Sequence, residues 1–172
     1  DYFIPGTAEE RWGVGYNGST YGSYSKLVSN AGEALTATSL TNTSIASNLG
    51  ATFTGTVGAA LIVSQAISFG VDDKIFKNTV TLTNTTGATL TGVTYMRSFD
   101  PDNTQFYNSG DFITINTIEN TFAVDGKSVI SAKSPIGEPY YVDAGNKQAT
   151  ILFYTTEAGA STYLSGGTNP FS

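Results

Sequence analysis

Short runs that alternate apolar and polar residues recur along the whole sequence, and Gly, Asn, Asp or Pro separates one run from the next. A period of two places successive side chains on opposite faces, which is typical of half-buried β-strands. Turn residues at intervals of about 8–12 residues indicate a sandwich of many short strands. The predicted strands are Ala34–Thr41, Ala51–Val57, Leu61–Phe69, Phe76–Thr83, Thr89–Arg97, Phe112–Ile118, Thr121–Val124, Ser128–Lys133, Tyr140–Val142 and Ala149–Thr155.

The composition favours the same fold class. Charged residues make up 13% of the chain, about half the usual share, and Thr, Ser, Asn and Gly take their place. Thr favours strands and the other three favour turns. We therefore predict an all-β protein, a two-sheet antiparallel β-sandwich with short helical turns near Thr7–Arg11 and Thr156–Leu164. Gly18–Ser25 is interpreted as a flexible loop. The 172 residues fit a single domain, 1–172.

The absence of two residue types excludes several kinds of chemistry. The chain has no His and no Cys, so Cys/His zinc sites and the usual Ser-His-Asp and Cys-His nucleophilic centres are excluded. Its net charge of −6 argues against nucleic acid or an anionic membrane as partner and suits divalent cations. Six scattered glutamates give no sign of the paired carboxylates of a glycosidase. We predict that the protein is not an enzyme.

An acidic turn follows the predicted strand Thr89–Arg97. Asp100, Asp102 and Gln105 stand at alternate or nearby positions, and Pro101 fixes one backbone dihedral angle between them. Calcium takes six to eight oxygen ligands, and this turn supplies about half of such a shell. The alternative is an acidic surface turn that caps a strand end through its own side chains.

A second acidic pair, Asp72 and Asp73, precedes the predicted strand Phe76–Thr83. Asn84–Gly87 (Asn-Thr-Thr-Gly) has the composition of a hairpin turn, so we expect Phe76–Thr83 to pair with Thr89–Arg97. Antiparallel pairing would bring the start of the first strand beside the end of the second. Asp72 or Asp73 would then reach the same Ca²⁺ ion as the acidic turn.

Several segments resemble the peptide-binding domains of giant RTX-type bacterial adhesins, a group that includes a marine ice-binding adhesin. The similar segments are Asp1–Trp12, Asp73–Asn84 and Tyr95–Asp102. The most specific part is Arg97–Asp102 (Arg-Ser-Phe-Asp-Pro-Asp) together with Gly110–Asn116. The resemblance spans most of the chain and implies a domain excised from a larger surface adhesin.

The resemblance further implies a calcium-dependent adhesion module that captures the free C-terminal carboxylate of a partner protein. An ion with an open coordination position attracts such a carboxylate. By similarity Asp100 and Asp102 would ligate the ion. The nearby polar residues Ser98, Asn103 and Tyr107 are expected to hold the peptide by hydrogen bonds.

The partners expected are C-terminal peptides of cell-surface proteins on another cell. We expect a monomeric domain at the bacterial cell surface, with no nucleic-acid partner and no direct membrane insertion. Two alternatives stay open at this point. One is a calcium-dependent carbohydrate-binding module, which exposed aromatic rings on a sheet face would favour. The other is a calcium-stabilised structural extender domain of an adhesin, which would have no open coordination position.

Overall fold

The computed structural model describes residues 9–24, 35–100, 115–120, 128–133, 150–157 and 159–160, with the backbone alone at 9–11, 19–24, 98–100 and 120. These residues form ten β-strands and no helix. The strands are β1 (Glu9–Tyr16), β2 (Ser19–Tyr24), β3 (Leu35–Asn42), β4 (Asn48–Val57), β5 (Leu61–Gly70), β6 (Lys77–Asn84), β7 (Thr94–Asp100), β8 (Ile115–Asn120), β9 (Ser128–Lys133) and β10 (Thr150–Thr155).

The strands form three sheets with the orders β2-β1-β7, β3-β4-β5-β6 and β10-β9-β8. The sheets are antiparallel, which confirms the prediction of an antiparallel all-β protein. The helical turn expected at Thr7–Arg11 is wrong from Glu9 onward, because β1 begins there. Among the described residues, no helix is long and apolar enough to span a membrane.

The chain divides into two compact units. One contains residues Arg11–Arg97 and the other contains Ser98–Pro170, so most of β7 belongs to the first unit and its last residues to the second. The prediction of a single domain stays a prediction.

The first unit contains the four-stranded sheet, a meander in which each strand pairs with its neighbours in sequence. Val57, Leu61 and Val63 point to one face and are at most 3% exposed. The opposite face carries Thr and Ser at most positions, since side chains alternate along each strand. These outward residues include Thr52, Thr54, Thr56, Ser64, Ser68, Thr79, Thr81 and Thr83.

β1 packs its alternate residues against this sheet. Val14 and Tyr16 are buried with Val57, Leu61 and Val63 in one core. The hydroxyl of Tyr16 donates a hydrogen bond to the carbonyl oxygen of Val57. The core of the first unit therefore draws side chains from both of its sheets, and Trp12, two residues before Val14, packs against it.

β2 occupies most of the segment that we interpreted as a flexible loop, so that interpretation is wrong. β2 pairs with β1 in the register Tyr16↔Ser19, across a two-residue turn. Asn17 and Gly18 in this turn have φ values of 50° and 74°. Positive φ at both positions belongs to a type I′ turn, whose twist matches that of the flanking strands, and Asn-Gly is its preferred sequence.

The second unit contains the sheet of β8, β9 and β10. β9 lies in the middle, with Ser128, Ser131 and Ala132 buried. The register between β8 and β9 shifts between Ile118 and Asn120, so Glu119 is an extra residue opposite β9. Such a bulge re-aims the side chain of the residue that it inserts.

The strand predictions agree with β3, β5, β6, β9 and β10 to within one residue at each end. β4 begins three residues earlier than predicted, and β8 ends two residues later, at Asn120; residues 112–114 lie outside the described residues. β7 begins at Thr94, five residues after the predicted start. The predicted strands Thr121–Val124 and Tyr140–Val142 lie outside the described residues.

The expected hairpin between β6 and β7 is wrong. β6 pairs with β5, whereas β7 lies beside β1 in another sheet. The Asn84–Gly87 segment does turn: the backbone N–H and hydroxyl of Thr86 both donate to Asn84 Oδ1. The chain then crosses to β1, where the N–H of Asn17 donates to the carbonyl of Thr91.

Shortening Val63 should test the shared core. Val63 is 0% exposed, so Val63→Ala should lower the free energy of unfolding by about 2 kcal/mol through lost burial and a residual cavity. Val93→Ala is the matched control, because Val93 is 43% exposed, and it should cost less than about 0.5 kcal/mol. Urea unfolding followed by the fluorescence of Trp12, the only tryptophan, measures both. Equal costs for the two variants would contradict the proposed core.

Candidate acidic turn and polar network

A tight turn between β5 and β6 holds the described carboxylates of the candidate site. The N–H of Asp73 donates to the carbonyl of Gly70 (2.9 Å), and Asp73 Oδ2 accepts from the N–H of Gly70 (2.8 Å). This reciprocal pair closes the turn Gly70–Asp73. Oδ1 of Asp73 accepts no hydrogen bond from the described residues, so it keeps lone pairs that can ligate a cation.

The neighbouring connection between β3 and β4 supports this turn. The N–H of Val71 donates to the carbonyl of Ser47 (2.9 Å), which joins the two connections at one end of the sheet. Asp72 and Asp73 are both exposed there. Adjacent exposed carboxylates repel each other, and a bound cation would relieve that repulsion.

A polar network lies inside the first unit. Gln65 is 5% exposed, and its Oε1 accepts hydrogen bonds from Asn78 Nδ2 and from the hydroxyl of Tyr95, each at 3.1 Å. The network joins β5, β6 and β7 across the core. The ring of Trp12 packs against Tyr95 at 6.1 Å and against Phe53 at 5.9 Å, so apolar groups surround these hydrogen bonds.

The direction of β7 within the first unit follows from these contacts. β7 begins three residues after Thr91, which lies beside Asn17 and so near the Val57 end of the sheet. From there Tyr95 reaches Gln65, which stands five residues before Gly70 on β5. β7 therefore leads from the Val57 end of the sheet toward the Gly70 end as far as Arg97.

The structure describes only some of the predicted site residues. The backbones of Ser98 and Asp100 belong to β7, and their side chains lie outside the described atoms. Asp102, Asn103, Gln105 and Tyr107 also lie outside the described residues. Asp72 and Asp73 lie in the Gly70–Asp73 turn between β5 and β6. β6 and β7 do not pair, so the pairing expected to bring Asp72 and Asp73 beside the Asp100–Gln105 turn is wrong, and a shared ion stays a prediction.

No group of three or more Asp, Glu, His or Cys side chains converges among the described residues. The described turn thus supplies two carboxylates, fewer oxygens than a calcium shell needs.

A shallow groove lies beside the same turn. Its volume is about 680 Å³. Its walls are Asn48, Ser68, Phe69, Gly70, Asp73, Lys74, Ile75 and Lys77. Ile75 is 78% exposed, and the neighbouring Phe76 is 66% exposed with its ring 4.4 Å from that of Phe69. Neither Lys74 nor Lys77 makes an ion pair with any described residue. The groove thus combines apolar surface with two ammonium groups.

The second unit has a separate charged cluster at its bulge. Ser131 Oγ and Lys133 Nζ both donate to Oε1 of Glu119. The Lys133 hydrogen bond, with a further contribution from Ser131, lowers the pKa of the Glu119 carboxyl below its usual value. Ser131 is completely buried, so its hydroxyl is not accessible as a nucleophile. This cluster is a structural ion pair on a sheet.

Gln65, Lys74 and Lys77 were not predicted from the sequence to have a role in the polar network or the groove. Gln65 occupies an inward position in the series Leu61, Val63, Gln65, and a polar residue there is a signal of a buried hydrogen bond. No sequence pattern pointed to the two lysines, because the groove beside them forms only where β4, β5 and the connection after β5 come together in the folded chain.

Comparison with family models, with curated proteins and with solved structures finds no match to this chain. The resemblance to adhesin domains therefore stays a prediction.

Removing the acceptor of the polar network should destabilise the first unit. Gln65→Leu leaves Asn78 and Tyr95 without their shared acceptor and should cost about 2 kcal/mol of unfolding free energy. Tyr95→Phe should cost about 1 kcal/mol. Because both variants remove the same hydrogen bond, the double variant should cost less than the sum. Urea unfolding monitored by Trp12 fluorescence checks this, and strictly additive costs would rule out the coupling.

Glu119 should make stability depend on pH. The pKa of its carboxyl is lower in the folded state than in the unfolded state. Its contribution to the free energy of unfolding is therefore fully present above the unfolded-state pKa, about 4.3, and is lost as pH falls through the folded-state pKa. Glu119→Gln should therefore be less stable than the parent protein at about pH 7 and equally stable at about pH 2. Chemical unfolding followed by circular dichroism gives both comparisons. Glu157→Gln is the control, since Glu157 makes no ion pair among the described residues. A difference for Glu119→Gln that persists unchanged in acid would contradict the assignment.

Proposed function

We propose that this chain is a calcium-dependent adhesion module that captures the free C-terminal carboxylate of a partner protein on another cell. The observation that carries the proposal is the Gly70–Asp73 turn, which presents Asp72 and Asp73 to solvent and leaves Oδ1 of Asp73 without a hydrogen bond among the described residues. Carboxylate oxygens on a rigid turn are ligands that Ca²⁺ prefers.

Asp100, Asp102 and Gln105 are the further ligands in this proposal. Asp100 is the last residue of β7, and Asp102 and Gln105 come after it in the sequence. The ion keeps one coordination position for the carboxylate of the peptide, and Ser98, Asn103 and Tyr107 donate or accept hydrogen bonds to the peptide backbone. Such a contact is small, so a Kd in the micromolar range, about −8 kcal/mol, is expected for one domain.

The proposal includes a two-sheet β-sandwich as the scaffold. It is supported by the core shared between β1 and the four-stranded sheet. No catalytic residue is assigned, and the partners are C-terminal peptides at an extracellular bacterial surface. Many copies on one cell would raise the effective affinity through avidity.

The outer face of the four-stranded sheet supports a peptide over a carbohydrate as ligand. The positions described there carry mainly Thr and Ser side chains. A carbohydrate platform needs exposed aromatic rings that stack on sugars.

Calcium and a free carboxylate should both be required for binding. Peptides with a free C-terminus should bind in Ca²⁺, and the same peptides with an amidated C-terminus should not, since amidation removes the charge that the ion attracts. Asp102→Ala and chelation by EDTA should abolish binding and lower the melting temperature, whereas Glu157→Ala, which removes one exposed carboxylate elsewhere, should change neither. Isothermal titration calorimetry and thermal melts measure these effects.

Two results would overturn the proposal. One is equal binding of free and amidated peptides, and the other is binding of glycans alone.

A further inference from the structure

The groove lies beside the Gly70–Asp73 turn. The turn is closed by the reciprocal Gly70 and Asp73 hydrogen bonds and is joined to the neighbouring connection through Val71. Ile75 is 78% exposed and Val71 is 55% exposed, which is apolar surface that water solvates poorly.

The charge of the groove differs from that of the whole chain. The net charge is −6 with 8 basic residues, and two of those eight, Lys74 and Lys77, line this groove. One carboxylate, that of Asp73, also lines it, and one of its oxygens is engaged by the N–H of Gly70. Among the described residues neither ammonium has an acidic partner, so the groove complements a ligand that carries a negative charge beside an apolar group.

We propose that the groove determines which C-termini are captured. An apolar side chain of the peptide packs against Phe69 and Ile75, and an acidic side chain of the peptide pairs with Lys74 and Lys77. This inference rests on the proposed function. The acidic pair Asp72 and Asp73 belongs to the same turn, so a chain end held by an ion there places its preceding residues within reach of the groove. The favoured ligand is a peptide with one apolar and one acidic residue close to its free C-terminus.

The test uses N-acetylated glycine hexapeptides in which two adjacent glycines are replaced by Leu-Asp, Ser-Asp or Leu-Asn. The replaced pair is moved in turn through successive positions near the free C-terminus. In Ca²⁺, the best Leu-Asp peptide should bind about tenfold more tightly than its Ser-Asp counterpart, because a leucine side chain is buried on binding. It should bind about threefold more tightly than the Leu-Asn counterpart, as expected for a solvent-exposed ion pair. Isothermal titration calorimetry measures these ratios.

Two sets of variants connect the preferences to the groove. Ile75→Ser should remove the leucine preference, and Leu40→Ser is the matched control, because Leu40 is 77% exposed on β3 and does not line the groove. The double variant Lys74→Gln/Lys77→Gln should remove the preference for the acidic residue, and Lys74→Arg/Lys77→Arg should retain it. Trp12 fluorescence melts check that each variant folds.

The possible outcomes separate this inference from the proposed function. If free carboxylates and Ca²⁺ are required but the Leu-Asp and Ser-Asp peptides bind equally, or if Ile75→Ser behaves as Leu40→Ser, the groove inference is wrong and peptide capture stands. If amidated peptides bind as well as free ones while Ile75→Ser still removes the leucine preference, capture of the carboxylate through the ion is wrong, and the groove binds peptide side chains without selecting C-termini. Absence of binding to every peptide overturns the inference. So does Ile75-dependent binding to phosphatidylcholine–phosphatidylserine vesicles, since it would assign the groove to a lipid surface.

Discussion

The packing of β1 against the four-stranded sheet is the interaction on which the first unit depends. A four-stranded meander has a single apolar face, and that face needs a cover to exclude water. Val14 and Tyr16 supply the cover, and the Tyr16 hydroxyl adds a hydrogen bond to Val57 across the two layers. β7 lies beside β1 in the same sheet and adds Tyr95, so the position of β7 follows from that of β1.

The buried amide of Gln65 gives this core a defined alignment. Apolar contacts alone tolerate sliding of one layer over another, because they have no preferred direction. Gln65 Oε1 accepts from both Asn78 and Tyr95, and the two donors come from different sheets. A displacement of β7 by one residue would break the hydrogen bond between the Tyr95 hydroxyl and the buried Oε1 of Gln65, at a cost of about 1–3 kcal/mol. Asp100, a ligand in the proposed function, is the last residue of this strand.

The sequence predicted most strands but not which strands pair with each other. The position of a strand and the choice of its partner depend on different contacts. Alternation reports which face of a strand is buried, and β5 shows it clearly in Leu61, Val63 and Gln65. Partner choice depends on contacts between residues far apart in sequence. The Asn84–Gly87 turn has the local conformation that its residues favour, yet the chain continues to Thr91 and β1 because an open strand edge is available there.

The β1–β2 turn does join two paired strands, although no hairpin was predicted there. Asn17-Gly18 is a strong hairpin signal, but the Gly, Ser and Tyr residues that follow suggested a loop. Of the candidate site, Asp72 and Asp73 were found from sequence because two adjacent carboxylates are conspicuous. The groove was not found, because its walls come from β4, β5, the connection after β5 and the start of β6, and converge only in the folded chain.

Asp73 carries a structural and a proposed ligand role at once, and the two roles are compatible. Its Oδ2 accepts a hydrogen bond from the N–H of Gly70, and Oδ1 accepts none from the described residues. Hydrogen bonds within the chain close this turn, and a ligand site held in this way loses less conformational entropy on binding. Gly70 is part of this arrangement, since a Cβ at that position would lie 3.0 Å from Asp73 Oδ2 and would displace the carboxylate. A glycine at this position therefore lets the carboxylate of Asp73 approach the backbone closely enough for Oδ2 to accept the hydrogen bond from Gly70.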